Sequence, residues 1–275
     1  MKKPLKYIIS ILSLIILVAL FIGCKLTDLR PQGYEYPNNI EKAKYLLEEM
    51  GKAHQIEKWN DIETYNVIFE DEFYGFLGER THGFKEQKME FSLNYIPKTF
   101  DGQLKILNGK EKSEIWGIQS GNTYRLDEKG NLKVEENKNM KFYIPTYQYF
   151  IEFPSRIQEA TAIDYLGTKM INGAKAEGII ASWNTVEPQN DLDQYVIWID
   201  AISKRIIKIA YTVRDKYRFV SGVAHYQDYK EYNGIILPST MPVESNLLKK
   251  GFLHKMSIVD FKINQLDREL LLPIK

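Results

Sequence analysis

Cysteine is nearly absent from the sequence. Among 275 residues there is one cysteine, Cys24, so the chain cannot form an intramolecular disulfide. A structural zinc site built on several thiolates is excluded for the same reason. A folded domain without these supports must rely on its apolar core, which a chain of this length can supply.

Neither sign of charge is in clear excess. The sequence has 37 Lys and Arg residues against 36 Asp and Glu residues, and it contains no long block of one sign. Because binding to nucleic acid requires a concentrated basic face, we predict no nucleic-acid partner. Aromatic residues are abundant by contrast, with 18 Tyr, 13 Phe and 4 Trp. Tyrosine at this level suits sheets with one wet and one dry face.

Motifs for common catalytic nucleophiles and for nucleotides are missing. The sequence contains no G-x-S-x-G elbow, no P-loop and no G-x-G-x-x-G fingerprint. No two of its histidines have metal-ligand spacing, although His225 and His254 lie in predicted strands that could meet in space. We therefore predict no metal, no cofactor and no catalytic residues. The histidines are interpreted as surface or internally hydrogen-bonded side chains: His54, His82, His225 and His254.

The densest acidic group is Glu70-Asp71-Glu72. On a strand, Glu70 and Glu72 share one face and Asp71 lies on the other. Paired carboxylates can serve glycoside hydrolysis, but nothing in the sequence indicates that these are buried. We favour a solvated strand edge, where like charges discourage aggregation.

The N-terminus has the zones of a secretory signal. A start containing three lysines precedes an apolar run at 8–22, which Gly23 follows directly. The run is somewhat short for a membrane-spanning helix, which needs about 20 apolar residues. We therefore predict a signal peptide at 1–23.

Cys24 follows this apolar run directly. The segment 19–24, Ala-Leu-Phe-Ile-Gly-Cys, resembles the lipobox of bacterial lipoprotein signals, with Phe21 as a departure from the usual aliphatic residue. The resemblance implies acylation of Cys24 and membrane attachment through its acyl chains. We expect a cell-envelope location, at the outer membrane facing the periplasm. The alternative is an uncleaved membrane anchor with an incidental cysteine.

Residues 24–38 contain Pro and Gly without an apolar period. We interpret them as a lipidated tether to one domain at 39–275.

Two helical regions are expected in this domain. The first helix begins with Asn38 as cap and Glu41 in a capping-box position. Its apolar stripe recurs at helical spacing: Ile40, Ala43, Leu46, Leu47 and Met50. The second helical region is expected at 147–162, broken near Pro154.

The rest of the domain has the patterns of strands. Alternation is clearest at 88–95, where Met89, Phe91, Leu93 and Tyr95 share one face. Short connections favour antiparallel pairing. We expect a mostly β, α+β fold: a single large curved antiparallel sheet or half-open β-barrel with helices packed on its concave face. The other expected strands are 104–107, 113–118, 123–126, 132–135, 176–183, 195–199, 205–213, 223–232, 235–237 and 252–263.

Two predicted hairpins carry a family resemblance. Segment 195–211 turns at Asp200 and Ser203, and segment 226–238 turns at Asn233-Gly234, a strong hairpin signal. In this order they resemble the C-terminal half of exported proteins with the Lol fold, the periplasmic lipoprotein carriers and the outer-membrane lipoprotein receptor. The resemblance implies a half-open barrel whose concave face binds acyl chains. Unlike the soluble carriers, this chain is expected to be lipid-anchored, which favours a receptor-like or sensor-like protein over a shuttle.

Apolar strand faces are the candidate ligand wall. Ile207, Ile209, Tyr211 and Val213 are expected on one face, and the strand around Trp198 is apolar on both sides. Plain core packing and a lipid-lining wall both explain this pattern, and the resemblance supports the wall. The leading hypothesis is a lipid-anchored envelope protein that binds a lipid or a lipoprotein acyl chain. The alternatives are a structural or partner-binding lipoprotein without a ligand cavity, whose protein partner the sequence does not name, and an enzyme acting on envelope glycan or lipid.

Overall fold

The structure, a computed structural model, describes residues 26–275, so the predicted signal peptide and Cys24 lie outside the described residues. Residues 26–275 contain three α-helices: α1 (Ile40–Ala53), α2 (Gly75–Thr81) and α3 (Lys138–Arg156). Short 3₁₀ helices occur at Ile56–Asp61, Ile157–Glu159 and Arg268–Leu271. The strands are β1 (Tyr65–Phe73), β2 (Lys88–Tyr95), β3 (Gly102–Ile106), β4 (Ile115–Gln119), β5 (Asn122–Leu126), β6 (Leu132–Val134), β7 (Ala162–Ile171), β8 (Ala174–Ser182), β9 (Tyr195–Asp200), β10 (Ile206–Val213), β11 (Tyr217–His225), β12 (Gln227–Tyr232), β13 (Ile235–Ser245) and β14 (His254–Ile263).

All fourteen strands belong to one antiparallel sheet. Its order is β6-β5-β4-β3-β2-β1-β14-β13-β11-β10-β9-β8-β7, and β12 pairs with β13. Within residues 26–275 the edge strands β6 and β7 are not paired with each other, so the sheet is open. Helices α1 and α3 contribute their apolar sides to the same core as the concave face of the sheet. The predicted fold class, a half-open barrel of one curved antiparallel sheet with helices on its concave face, is confirmed.

Two strands show how the pattern of the sequence sets the faces of the sheet. In β2 the four residues predicted to share a face are buried, and those between them are more exposed. In β9 both faces are buried, because Ile197 and Ile199 pack in the main core and Val196 and Trp198 in a second cluster on the outer face. The prediction that this strand is apolar on both sides is therefore confirmed.

Glycines permit aromatic rings to lie across neighbouring strands. At four cross-strand pairs, a Cβ on the glycine would come within 2.1 to 2.6 Å of the partner ring, closer than any real contact. The absence of a side chain therefore lets each ring cover the backbone of the adjacent strand. The pairs are Tyr95 with Gly102, Tyr124 with Gly117, Trp198 with Gly178, and Tyr211 with Gly222.

The first helix begins one residue later than predicted. Asn39, and not Asn38, is its cap, and the Asn39 side chain accepts a hydrogen bond from the Lys42 amide at 2.9 Å. Glu41 therefore lies in the first turn rather than at the capping-box position. Both Asn38 and Asn39 instead donate their backbone N–H groups to Asp164 of β7, at 2.6 and 2.7 Å. The start of the helix is thus fixed by the carboxylate of Asp164, which is distant in the sequence and could not be inferred from the residues around the helix.

The second long helix also departs from its prediction. It begins at Lys138, nine residues before the predicted start, and it continues through Pro145 and Pro154. Proline removes one backbone donor from a helix and leaves a carbonyl four residues earlier without its partner. For Pro154 that carbonyl is Phe150 O. The hydroxyl of Tyr226, the residue between β11 and β12, donates to it at 2.8 Å. The sheet therefore repairs the defect that was expected to break the helix.

Strands β1 and β7 were not predicted. In β1 the acidic triplet 70–72 interrupts the apolar alternation. In β7 the middle of the strand is half-buried or exposed, so apolar residues do not alternate along its whole length. β1 lies between β2 and β14 in the interior of the sheet. The expectation that Glu70-Asp71-Glu72 forms a solvated edge is therefore wrong, although Asp71 does lie on the face opposite to its two neighbours.

Residues 26–37, part of the predicted tether, lie against the outside of the sheet and are here named the N-terminal strap. Leu29 and Tyr34 pack on the second cluster, which includes Trp198. The Leu29 N–H donates to the Gln194 side chain at 3.1 Å, and the Tyr34 hydroxyl donates to Asp164. The strap is therefore part of the fold. Within the described part of the chain, no helix is both long enough and apolar enough to cross a membrane.

Candidate functional site

The concave face of the half-barrel is the candidate binding site, and α3 covers it. Strands β1 and β2 present aromatic rings to the helix, with Phe69 and Phe91 lying 4.9 and 5.7 Å from the ring of Tyr147. Tyr143, one turn earlier on α3, packs 4.5 Å from Phe84. These rings are buried, so side chains fill the space between the sheet and α3 in this structure.

Tyrosine hydroxyls attach α3 to the sheet. The Tyr95 hydroxyl of β2 donates to Ile144 O at 2.8 Å, and Tyr226 makes the bond to Phe150 O described above. Both bonds are buried. Since a buried hydrogen bond contributes about 1 kcal/mol to stability, these contacts fix the position of α3 without making its attachment irreversible.

A buried carboxylate, Glu152, lies near the C-terminal end of α3. It accepts hydrogen bonds from the Tyr65 hydroxyl at 2.7 Å, from Gln148 at 2.8 Å and from the Lys98 backbone at 3.0 Å. Arg156 lies 3.0 Å away on the same helix. Burial nevertheless raises the pKa of Glu152 above its usual value, since these partners only partly offset the loss of solvent. This cluster joins α3 to β1 at one end of the barrel.

A second buried carboxylate, Asp71, lies toward the other end. Its side chain is fully buried on the concave face of β1, where it accepts a hydrogen bond from the Tyr147 hydroxyl at 2.9 Å. His254 of β14 lies 2.7 Å away through Nδ1 and is partly exposed. In the described part of the chain no hydroxyl side chain is hydrogen-bonded to His254, so the pair lacks the nucleophile of a catalytic triad.

An aromatic stack adjoins this second carboxylate. Phe73, at the end of β1, is stacked between two imidazoles, with its ring 4.0 Å from that of His82 and 5.5 Å from that of His254. Burial lowers the pKa of His82. The stack marks the end of the barrel at which β1 finishes and β14 begins.

The structure divides the predicted ligand wall between two faces. Ile209 and Tyr211 lie against the main core on the concave side, and the Tyr211 ring is 5.1 Å from Phe150 of α3. Ile207 and Trp198 lie against the second cluster on the outer side. The prediction assumed that Ile207 and Ile209, two residues apart, lie on the same face of the strand. A bulge between Ile206 and Lys208 shifts the register, so Ile207 lies on the outer face and Ile209 on the concave face.

The last wall candidate, Val213, is half-buried at the end of β10 beyond a second register shift. It packs in neither cluster. Of the five predicted wall residues, the structure therefore brings together Ile209 and Tyr211 on the face that α3 covers.

His225 and His254, the two histidines that the sequence suggested could meet, have separate surroundings. His225 stays on the outside, 2.9 Å from Glu244 and 5.9 Å from the ring of Phe252, while His254 contacts Asp71. They do not form a shared site. His54 is buried at the end of α1, where its Nε2 accepts from the Ile206 N–H at 3.1 Å. Within residues 26–275 no cluster of three or more His, Cys, Asp or Glu side chains could hold a metal.

The buried carboxylates were missed as site residues. A signal for Asp71 was present, because it falls in register with Tyr65, Val67, Phe69 and Phe73, an apolar set that recurs at every second position of 65–73. A single carboxylate in register with an apolar face indicates a buried charge that needs partners. Its partners, on β14 and α3, are distant in sequence and could not be read from it.

Two hollows lie on the surface rather than under α3. One, of about 370 Å³, lies between α2 and the loop that precedes β14. The other, of about 350 Å³, lies between α1 and the segment before β7. The second is lined in part by Leu47 of α1 and Ile163 of β7, which also pack in the main core. Because side chains fill the space between the sheet and α3, a ligand of acyl-chain size on the concave face requires α3 to move.

No family model and no curated protein matches the sequence. Solved structures match the fold. An outer-membrane lipoprotein-sorting protein domain from Vibrio parahaemolyticus is 12% identical, with 85% of this chain and 97% of that chain covered and a TM-score of 0.52. A DUF1329 family protein from Desulfovibrio piger is 10% identical over 85% and 98% of the chains, with a TM-score of 0.51.

A third similar structure is a LolA superfamily protein from Nitrosomonas europaea, 11% identical over 83% of this chain and 96% of that chain, with a TM-score of 0.50. Identities at this level are evidence of shared architecture. They agree with the half-open antiparallel barrel and the covering helices found here. The resemblance inferred from the two hairpins is confirmed at the level of fold: the chain has the Lol-type half-barrel fold.

Proposed function

We propose that this protein is a lipid-anchored envelope protein that binds an apolar ligand, a lipid or a lipoprotein acyl chain, on the concave face of its half-barrel. The observation that carries the proposal is the Lol-type half-barrel with an aromatic and aliphatic concave face under one helix. Ile209 and Tyr211 are the proposed wall residues. The role proposed is binding, not catalysis, and it needs no metal or cofactor.

Ligand entry in this proposal is an exchange. Each methylene taken out of water contributes about 0.8 kcal/mol, so an acyl chain of about fourteen methylenes is worth roughly 11 kcal/mol at most. The acyl chain would take the place of apolar side chains of α3 that the sheet already buries. Exposing those side chains costs free energy, which offsets most of the gain from burying the acyl chain. Affinity is therefore governed by how easily α3 leaves the sheet.

Lipid extraction tests the proposal. The protein is purified from envelopes, extracted with organic solvent and examined by mass spectrometry for bound lipid, and fluorescent fatty acids are titrated into residues 26–275. We expect co-purified lipid and saturable binding that strengthens with chain length. Absence of both would remove the ligand-binding function.

A matched pair of variants tests the role of α3. Tyr147→Phe removes the hydrogen bond from α3 to Asp71, so it is expected to increase fatty-acid binding several-fold by making the helix easier to displace. Tyr45→Phe, at an exposed tyrosine of α1, is the control and is expected to bind like the parent chain. Equal binding by all three would show that α3 does not gate the site.

The anchor is tested separately. Acylation of Cys24 predicts that the mature protein begins at that residue and that its N-terminal peptide carries the mass of acyl chains. Cys24→Ser is expected to lose this mass. Retention of residues 1–23 on the mature chain would instead support an uncleaved membrane anchor. A location at the outer membrane, facing the periplasm, is checked by fractionating the two membranes.

A packed interior favours a second candidate function, the binding of a protein partner in the envelope. Side chains fill the space under α3, and this filling needs no ligand to complete the core. Under this function the protein co-purifies with a protein after crosslinking in cells, and it carries no lipid. Opening variants such as Tyr147→Phe are then expected to lower stability without creating fatty-acid binding.

A further inference from the structure

Five exposed apolar side chains lie at one end of the sheet. This is the end at which β1 and β13 finish and β11 and β14 begin. The side chains lie on three segments, namely α2, the start of β11 and the loop between β13 and β14. Together they are here named the apolar rim: Phe76, Tyr217, Phe219, Leu247 and Phe252.

Hydrogen bonds join the segments of the apolar rim into one surface. The Tyr74 N–H, just before α2, donates to Leu253 O at 2.9 Å. The Asn246 side chain donates to Phe219 O at 2.8 Å. The hollow of about 370 Å³ lies between Phe76 and Phe252, so apolar rim residues also line a concave part of this surface. The apolar rim is therefore continuous from α2 to β11.

The same segments carry an excess of positive charge. In residues 75–81, 214–219 and 246–252 the acidic residues are Glu79 and Asp215. Six basic residues lie in these ranges: Arg80, Arg214, Lys216, Arg218, Lys249 and Lys250. Of these, Arg214 is buried and the others are exposed. Aromatic and basic side chains interleaved on an exposed surface are typical of contact with an anionic lipid interface.

The N-terminal strap leads the chain to this same end. The Thr27 N–H donates to Arg218 O at 3.0 Å, and the Arg214 guanidinium donates to Thr27 O. Thr27 is thus bonded to Arg218, which lies between Tyr217 and Phe219, and to Arg214 in the turn between β10 and β11. Thr27 therefore lies next to the apolar rim, and the predicted acylated residue, Cys24, precedes it in the sequence by three positions.

We infer that the apolar rim rests on the surface of an anionic phospholipid membrane, the same membrane that holds the acyl chains of Cys24. This inference rests on the proposed lipid anchor and adds an orientation to it. The aromatic side chains enter the interface, and Lys249, Lys250 and Arg218 contact lipid phosphates. The stack around Phe73, at this end of the barrel, then faces the bilayer, so a lipid can pass to the concave face without crossing bulk water.

Depth measurements on the lipidated full-length protein test the orientation. Single cysteines are introduced at Phe76 and at Phe252, and a control cysteine at Ile202, which is 93% exposed in the turn between β9 and β10 at the opposite end. Acylated Cys24 has no free thiol to react with the fluorophore. In vesicles of phosphatidylglycerol and phosphatidylethanolamine, we expect nitroxide lipids to quench the two rim labels at least twofold and to leave the Ile202 label unquenched. Equal, weak quenching of all three labels on vesicle-bound protein overturns the inference.

Vesicle binding by a chain that lacks Cys24 tests the apolar rim independently of the proposed lipid anchor. Residues 26–275, the whole folded unit described above, are mixed with the same vesicles and sedimented. We expect weak binding that requires phosphatidylglycerol and that falls at least fivefold in Lys249→Glu/Lys250→Glu and in Phe76→Ser/Phe252→Ser. Met170→Ser, at an exposed apolar residue of β7, is the control and is expected to bind like the parent.

The outcomes of the two experiments are distinct. Rim-dependent binding by residues 26–275, together with a Cys24 that carries no acyl chain, supports the rim and removes the anchor. Acylated protein whose rim labels stay in water, together with binding that none of the rim substitutions changes, removes the rim and leaves the anchor.

Discussion

His254 and Asp71 lie on neighbouring strands, and the imidazole Nδ1 of the first is 2.7 Å from a carboxylate oxygen of the second. The other carboxylate oxygen accepts from the Tyr147 hydroxyl of α3 at 2.9 Å. One buried carboxylate therefore joins β14, β1 and the covering helix. Since a buried charge is tolerated only when it is paired and hydrogen-bonded, these three side chains depend on one another.

Replacement of this carboxylate is expected to destabilise the fold strongly. In Asp71→Asn the charge that pairs with His254 is lost and the Tyr147 hydroxyl is left with a poorer acceptor. We expect the free energy of unfolding to fall by roughly 2 to 4 kcal/mol, measured by denaturant titration. Glu70→Gln is the matched control, because Glu70 lies on the opposite face of the same strand and pairs with the exposed Lys88. A loss below about 1 kcal/mol is expected there, and equal losses would contradict the assignment of Asp71 as the structural centre.

Two tyrosines that bond to α3 are expected to differ in importance. Tyr226→Phe leaves Phe150 O without a partner, because Pro154 has no N–H to donate, and should cost about 1 to 3 kcal/mol. Tyr95→Phe leaves Ile144 O with its ordinary helical partner, the N–H of Gln148, and should cost less. Chemical denaturation of both variants checks the order, and a larger loss for Tyr95→Phe would contradict it.

A substitution at Gly178 tests the contact between glycine and ring. A Cβ there would lie 2.6 Å from the ring of Trp198, so Gly178→Ala should destabilise the protein by about 1 to 3 kcal/mol. Combining it with Trp198→Leu, which removes the ring, should recover part of the loss. Thermal unfolding of the two single variants and the double variant gives the coupling, and strict additivity would show that ring and glycine do not interact.

His54 makes stability depend on pH. Burial lowers its pKa from 6.5 to about 3 in the folded protein. Between these values the unfolded chain binds a proton that the folded chain does not, so stability is full above pH 6.5 and is lost as pH falls. Each pH unit in that window is worth about 1.4 kcal/mol.

His54→Gln retains an acceptor for the Ile206 N–H but does not titrate in this range. From pH 6.5 to pH 5 the parent chain should therefore lose about 2 kcal/mol more than the variant. Denaturant titrations at the two pH values measure this difference. Parallel pH profiles for the two chains would show that His54 is not kept neutral by burial.

Much of the fold could be predicted from local patterns. The alternation of β2, the Asn233-Gly234 turn and the apolar faces of β9 depend on neighbouring residues, and each occurs in the structure as expected. The antiparallel pairing and the half-open sheet followed from short connections and from the resemblance carried by two hairpins.

The errors came from contacts between distant residues. α3 continues through Pro154 because Tyr226 supplies the missing donor. α1 is capped by Asn39 and not by Asn38, because Asp164 accepts the backbone N–H groups of both residues just before the helix. The bulge before Lys208 turned Ile207 to the outer face. Each of these depends on a partner more than forty residues away or on an irregularity that alternation does not encode, so the division of the candidate wall could not be read from the sequence.

The docking of the N-terminal strap limits how far the domain can travel. A free linker at 24–38 would reach roughly 50 Å from its attachment point, at about 3.5 Å for each residue. With Thr27 bonded to Arg218, three peptide units remain between an acylated Cys24 and the fold, a span of about 11 Å. Under the proposed acylation of Cys24, so short a connection would hold the domain at the surface of its own bilayer, and ligand exchange would then be confined to that bilayer or to molecules that reach it.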